Sequence, residues 1–309
     1  MVDQGSVEIR VFDDDGSARM LQAFADLYTA EFLQTEEGQQ VARAEIHERQ
    51  HWFQERYAPW IESVRPLLGA RVLEVGSGSG SSTVGFALAG ATVDAVDMSS
   101  RGQSLAVLRA ELHGVRQRIE FHVSNATEIE ARFGGNEYDI IAYIASLEHM
   151  TFDERTRTLR SAWAMLQPGG LLVIADTPNR LWYYDDHTTF ENFFHWLPDD
   201  VAAAYALRVT RTGFTDDMHQ PDALLRLARW GRGVSYHDLT IALDDDATKY
   251  FVSGEWEYRR RRDPDYASWW ATTTEGKFHE TLKAIAPTIP SGFLETELAI
   301  CLRKPPPSN

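Results

Sequence analysis

From residue 71 onward the chain falls into short, largely apolar runs separated by stretches with helical spacing. The runs at 71–75, 92–97, 118–123, 138–145 and 171–176 predict strands covered on both faces. Between them, residues 81–89, 101–113 and 152–166 read as helices. Such alternation builds a doubly wound, mostly parallel α/β sheet. Pro168-Gly169-Gly170 is expected to form a turn feeding the fifth strand.

The flanks read differently. Residues 17–34 place Leu21, Phe24, Ala25, Leu27, Tyr28 and Phe32 near a 3.6 period, and 40–63 do the same with Ile46, Phe53, Tyr57 and Trp60. Two N-terminal helices are expected. After residue 176 the alternation weakens and Trp182, Trp196, Trp230, Trp256, Trp269 and Trp270 accumulate. Strands are expected again at 235–243 and 293–302, which brings the sheet to seven strands. The division expected is an N-terminal helical lid (1–65), a sheet core (66–176), a Trp-rich cap with late core elements (177–290), the last core strand (291–304) and a disordered tail (305–309).

Composition narrows the partners. The chain has 309 residues and a net charge of −16, which repels phosphate backbones and anionic lipid. Neither nucleic acid nor a membrane is an expected partner; a homodimer stays open. No apolar run approaches the roughly 20 residues that span a bilayer, and residues 1–10 lack the basic and apolar regions of a secretory signal. Cys301 is the sole cysteine, so an intramolecular disulfide, a thiolate zinc cluster and an iron–sulfur site are excluded. A cytoplasmic location is expected.

The most informative segment is Glu74-Val75-Gly76-Ser77-Gly78-Ser79-Gly80, which ends a strand and opens a helix. Glycines let backbone turn and approach a ligand closely, and the helix start offers unpaired N–H groups. A Walker loop needs a lysine that is missing. A dinucleotide fingerprint needs glycine where Ser81 stands, which disfavours NAD. An S-adenosylmethionine loop, with an acid two residues before the first glycine of G-x-G-x-G, fits Glu74, Gly76, Gly78 and Gly80. Asp97 closes the second strand, where an acid can accept ribose hydroxyls. Met98 suits the adenine face, and Asn125-Ala126 after strand three offers an oxygen to the adenine amino group.

With these residues in order, the chain resembles a class I S-adenosylmethionine-dependent methyltransferase, most similar to the ubiquinone-type and small-molecule O-methyltransferase branch. The resemblance rests on residues 72–80, 96–99, 125–126, 138–150 and 166–173, and covers 64–176 well. Asn125 departs from the aspartate usual in the family. The resemblance implies a Rossmann-like methyltransferase fold, with 66–176 as the S-adenosylmethionine-binding core, Ser77 and its glycines on the cofactor, and a cap closing over the acceptor.

Methyl transfer to a hydroxyl calls for a base, and histidine titrates near neutrality. His149, beside Glu148, follows strand four; His187, beside Asp186, follows strand five; both are candidate catalytic residues. Trp182, Tyr184, His195 and Trp196 are expected to line the acceptor site. Each has a plainer alternative: a capping His149, a surface His187 and tryptophans buried in the cap. No metal site is expected, since nothing fixes a geometry for Asp185, Asp186 and His187. The expected activity is methylation of a small-molecule hydroxyl, phenolic or sugar-like. The alternatives are use of the sulfonium for non-methyl chemistry or regulation, and a protein methyltransferase.

Overall fold

The computed structural model describes residues 12–25, 29–135, 137–211 and 213–306. The reading of residues 1–10, positions Leu27 and Tyr28 of the first helix, and residues 307–309 of the tail lie outside these. The chain divides into two compact units, Met1–Ser124 and Asn125–Asn309.

In the first unit α1 (Asp14–Ala25) and α2 (Ala30–Gln34) precede a long helical run. Thr35 starts that run by accepting the Gly38 N–H on its hydroxyl. It passes from α3 (Glu36–Arg43) through a π-helical turn (Ala44–Glu48), α4 (Arg49–Trp52), a second π-helical turn (Phe53–Tyr57) and α5 (Ala58–Val64). Then come β1 (Arg71–Val75), α6 (Ser81–Leu88), β2 (Thr92–Asp97), α7 (Ser100–Leu112) and β3 (Ile119–Val123). β1 and β2 pair in parallel from Arg71↔Thr92 to Val75↔Val96, and β3 adds to β2 in parallel. Two packing contacts seat the helices. Phe12, Met20, Phe24, Ala42, Ile46 and Leu105 bury one another between α1, the long run and α7. The Phe53 ring packs on Phe86 with centroids 4.7 Å apart, over a Gly85 that leaves room for it.

The second unit holds α8 (Ile129–Phe133), β4 (Tyr138–Ile144), α9 (Phe152–Met165) and β5 (Leu166–Pro178). Four helices follow, α10 (Asp199–Ala206), α11 (Phe214–Met218), α12 (Ala223–Trp230) and α13 (Tyr236–Leu243). Last come β6 (Phe251–Gly254), α14 (Glu255–Arg262), α15 (Pro264–Thr272), α16 (Thr274–Ile285) and β7 (Glu297–Arg303). β4 and β5 are parallel; β7 runs antiparallel to both β5 and β6 and carries the buried Cys301. The strand order, β3-β2-β1 in the first unit and β4-β5-β7-β6 in the second, is that of a seven-stranded, mostly parallel, doubly wound sheet. The segment after β5 has its own small core, with Phe194, Ala202, Ala206, Val209, Phe214, Met218 and Leu227 buried together.

Several expectations are corrected. The run expected as one helix at 17–34 is two, because Thr29 is extended and caps α2. Residues 235–243 are not a strand but α13. Ser235 and Asp238 form a reciprocal capping box there, which starts a helix and puts Leu239 and Ala242 on its buried face. The strand in that region is the short β6. The last strand begins at Glu297, not Phe293, since residues 291–294 form a single 3₁₀ turn. Pro168-Gly169-Gly170 is a kink inside β5: Gly169 takes φ +78°, its N–H bonds to the Lys304 carbonyl, and the Lys304 N–H bonds to Gly170. Within the expected tail, Pro305 and Pro306 follow β7 in irregular backbone.

Candidate functional site

In the first unit, β1 delivers the glycine loop at its carboxyl end. Gly76, Gly78 and Gly80 all take positive φ, the region where only glycine is unstrained. The Gly76 and Ser77 N–H groups both donate to the Val96 carbonyl, which ties the loop to the end of β2. Asp97 completes the tie. One carboxylate oxygen accepts the Gly78 N–H at 2.8 Å and the other the Ser99 N–H at 2.7 Å. Each oxygen keeps a lone pair for a ligand hydroxyl. Met98 is 70% exposed beside it.

Glu74 sits elsewhere than expected. It is fully buried and accepts hydrogen bonds from the Ser82 and Thr83 hydroxyls, so it pins the start of α6 beneath the loop and has no surface open to a ligand. Burial pushes its carboxyl up to about 7, against those two hydrogen bonds. Asn125, in the second unit, is also corrected. Its side-chain oxygen already accepts from the N–H and the hydroxyl of Thr127 and caps the turn that begins at Ala126, so it is committed before an adenine amino group arrives.

A histidine cluster forms in the second unit, beyond the carboxyl ends of β4 and β5. Ala145 and Asp176, just after and at the end of those strands, hold positive φ, a strain that clusters at functional sites. Glu148, His149 and His187 each offer a ligand atom, all within 4.8 Å of one another. The His149 and His187 rings lie 5.2 Å apart. His149 Nδ1 is 2.9 Å from the Arg229 carbonyl, which can only accept, so Nδ1 carries the proton and Nε2 is the basic nitrogen of the neutral ring. The same logic holds for His187. Its Nδ1 is 3.1 Å from the Thr188 hydroxyl, whose own proton goes to the Gly231 carbonyl at 2.9 Å. Burial, helped by His149, lowers the His187 imidazole to about 4.

Glu148 is wholly buried, and neither carboxyl oxygen has a hydrogen-bond partner among the described residues. Burial, reinforced by Asp176, pushes it up to about 8. Its Oε1 nevertheless lies 3.6 Å from His149 Nε2, so the pair is a place for a shared proton or a cation. The end of α12 and the segment after it hold it together: Arg229 donates to the His149 carbonyl and the Arg232 N–H to the Glu148 carbonyl.

The expected partner of His187, Asp186, makes no such pair. It is Asp185 whose carboxylate takes the N–H groups of His187, Thr188 and Thr189 and lies 3.3 Å from His195 Nε2. Burial opposes its charge, but His195 and these donors hold the carboxyl well below its ordinary value. His195 is therefore a buried brace for Asp185, not an acceptor contact. Trp182 is buried as well, with its ring edge-on to Phe278 at 5.1 Å. Tyr184 and Trp196 are exposed, Trp196 at 50% with Phe193 4.7 Å away. Sequence reading missed the part played by Arg229 and Gly231. The only available signal was their glycine-rich setting, Gly231-Arg232-Gly233.

A glycine loop ending β1, an acid ending β2 and a strand order with one reversed strand define a nucleoside-binding transferase fold. The chain matches the family described as "Methyltransferase domain" over residues 72–170. It is 30% identical over 190 residues to the ubiquinone biosynthesis O-methyltransferase of Aromatoleum aromaticum, covering 59% of this chain and 74% of the relative. It is 33% identical over 210 residues to the enzyme of that name in Rhizobium leguminosarum bv. trifolii, covering 66% and 73%. Among solved structures, an S-adenosylmethionine-dependent methyltransferase from Geobacter sulfurreducens in complex with S-adenosyl-L-homocysteine is similar at 21% identity, covering 50% of this chain and 54% of that one, with a TM-score of 0.34. The chain belongs to the class I S-adenosylmethionine-dependent methyltransferases, in the small-molecule O-methyltransferase branch. It is an enzyme that methylates a small-molecule hydroxyl.

The loop fits this cofactor. The Ser77 and Ser81 hydroxyls are buried without a hydrogen-bond partner among the described residues, and a Cβ placed on Gly78 would meet nothing within 4 Å. Donors without partners beside an open glycine face suit a polar ligand. Among the described residues, no helix is long and apolar enough to cross a membrane.

Proposed function

We propose that the acceptor is a phenolic hydroxyl and that His149 takes its proton. The observation that carries this reading is the 2.9 Å hydrogen bond from His149 Nδ1 to the Arg229 carbonyl, which fixes the tautomer with Nε2 basic. The cofactor, when bound, supplies an electrophilic methyl group on a good leaving group. Asp97, Ser77 and the Gly78 face would hold it, with Met98 beside its base. A neutral phenol is a weak nucleophile, so removing its proton at Nε2 as the bond forms is worth roughly 10²–10⁴-fold. Alignment of the two reactants offers more, roughly 7–11 kcal/mol of barrier.

The phenolic reading over the sugar-like one is supported by the exposed rings of Tyr184, Phe193 and Trp196 near His187 in the chain. The relatives are named for O-methylation in ubiquinone biosynthesis, so an intermediate of that route is the first acceptor to try. The net charge of −16 supports a small molecule over nucleic acid, and a lone buried cysteine is in keeping with the cytoplasm. Incubation with methyl-labelled cofactor and a panel of phenols, catechols and sugars tests the reading. Label is expected in a phenol; label only in sugars or only in protein would overturn it.

A second reading has its own observation. Glu148, His149 and His187 lie within ligand distance of one another, and both imidazoles have Nδ1–H tied down, as metal-binding histidines do. A divalent cation there would lower the pKa of the acceptor hydroxyl and replace the base. Dialysis against EDTA separates the two. Loss of turnover restored by a divalent ion favours the cation; unchanged turnover favours His149 as base.

A further inference from the structure

We propose that Arg109 and Glu45 are positioning residues through which the N-terminal helical run sets the shape of the cofactor loop. Arg109 lies on α7, fully buried. Its Nε–H donates to the Ser79 carbonyl in the centre of the glycine loop at 3.0 Å. Its other nitrogens reach the opposite way, to the carbonyls of Glu45 (2.6 Å) and Ile46 (3.0 Å) and to the Gln50 side chain (3.0 Å). One guanidinium therefore joins the loop to the helical run. A second link runs beside it: the Ser79 hydroxyl donates to the Glu45 carboxylate, which also pairs with Arg49 at 3.1 Å.

The local backbone is built for this. Glu45 and Ile46 sit in the π-helical turn 44–48, where the Arg49 N–H bonds to the Ala44 carbonyl five residues back. That register rotates successive carbonyls toward one side, and here two adjacent ones converge on Arg109. π-Helical turns are costly and concentrate at functional sites. The loop is thus gripped on both sides of its middle: Gly78 by Asp97, and Ser79 by Arg109 and Glu45. Moving Ser79 would strip an acceptor from a buried cation, which is expensive. The loop keeps its cofactor-ready shape only while the helical run is docked. By reciprocity, cofactor binding tightens that docking.

The test is calorimetry with S-adenosylmethionine and S-adenosylhomocysteine on the full-length chain and on Ser79→Ala, Glu45→Ala, the double variant and Glu45→Gln. Ser79→Ala and Glu45→Ala are each expected to weaken cofactor affinity roughly tenfold. The double variant should be no weaker than the worse single one, because both remove the same contact. Glu45→Gln, which keeps an acceptor oxygen, should restore affinity to within about twofold, and the acceptor KM should not move. Arg109→Lys should weaken the cofactor further; if that variant does not fold, the Ser79 and Glu45 pair still decides. Unchanged affinity in folded Ser79→Ala and Glu45→Ala overturns the proposal. So do effects that multiply in the double variant, or a lowered melting temperature with no change in affinity.

Discussion

His149 Nδ1 lies 2.9 Å from the carbonyl oxygen of Arg229, eighty residues further along the chain. A backbone acceptor cannot be protonated or swung away like a side chain, so the imidazole is held in one tautomer. The Arg229 side chain reinforces this with a two-armed ion pair to Glu154, at 2.6 Å on each arm.

Replacing His149 by alanine should lower kcat by roughly 10²–10⁴-fold. Cofactor affinity should stay within a factor of about two, because the loop is shaped by Asp97 and Arg109. Steady-state kinetics beside calorimetry checks both halves. A variant with unimpaired turnover removes His149 from the chemistry.

Asp97→Ala should weaken cofactor binding at least roughly tenfold, the scale of losing a hydrogen bond to a charged group. It also frees the Gly78 N–H from its 2.8 Å partner. Because Asp97 also ties Gly78 to the turn at Ser99, the melting temperature without cofactor should fall modestly. The stabilisation conferred by added cofactor should shrink.

Gly80→Ala tests a packing constraint at the same loop. Its new Cβ would lie 2.6 Å from the Ala106 Cβ on α7, at φ +81°. Both crowding and strain oppose it, at a cost of roughly 2–3 kcal/mol. A lower denaturation midpoint and weaker cofactor binding are expected together.

Glu74 carries a pH prediction. Its carboxyl, raised by burial to about 7 in the fold, titrates near 4.5 when unfolded. Between those values the folded state binds the extra proton, so this group makes stability fall as pH rises from about 4.5 to about 7. Glu74→Gln removes the titration. The variant's melting temperature relative to wild type should climb across that window and level off above it. A flat difference would place the origin of the pH dependence elsewhere.

The sheet was legible because its strands carry their own signal: 71–75 and 92–97 are each apolar, bounded by turns and observed with those limits. The failures have local causes. Ser235 and Asp238 spell a helix cap that an apolar run conceals. The cofactor loop was legible through its glycine spacing, but the burial of Glu74 was not, since sequence shows which residue stands before a loop and not which way it faces. His149 and His187 were legible one at a time. Their meeting was not, because it depends on Gly231, whose Cβ would strike the His187 ring at 2.6 Å. That approach across 44 positions leaves no periodic trace.

Cys301 sits in β7 between β5 and β6, with no surface reachable by solvent, and burial pushes its thiol well above the ordinary range. An alkylating probe can reach that sulfur only when the strands on both sides part. Its capture rate is therefore a clock for spontaneous opening at the heart of the enzyme, readable by intact mass without any engineered label.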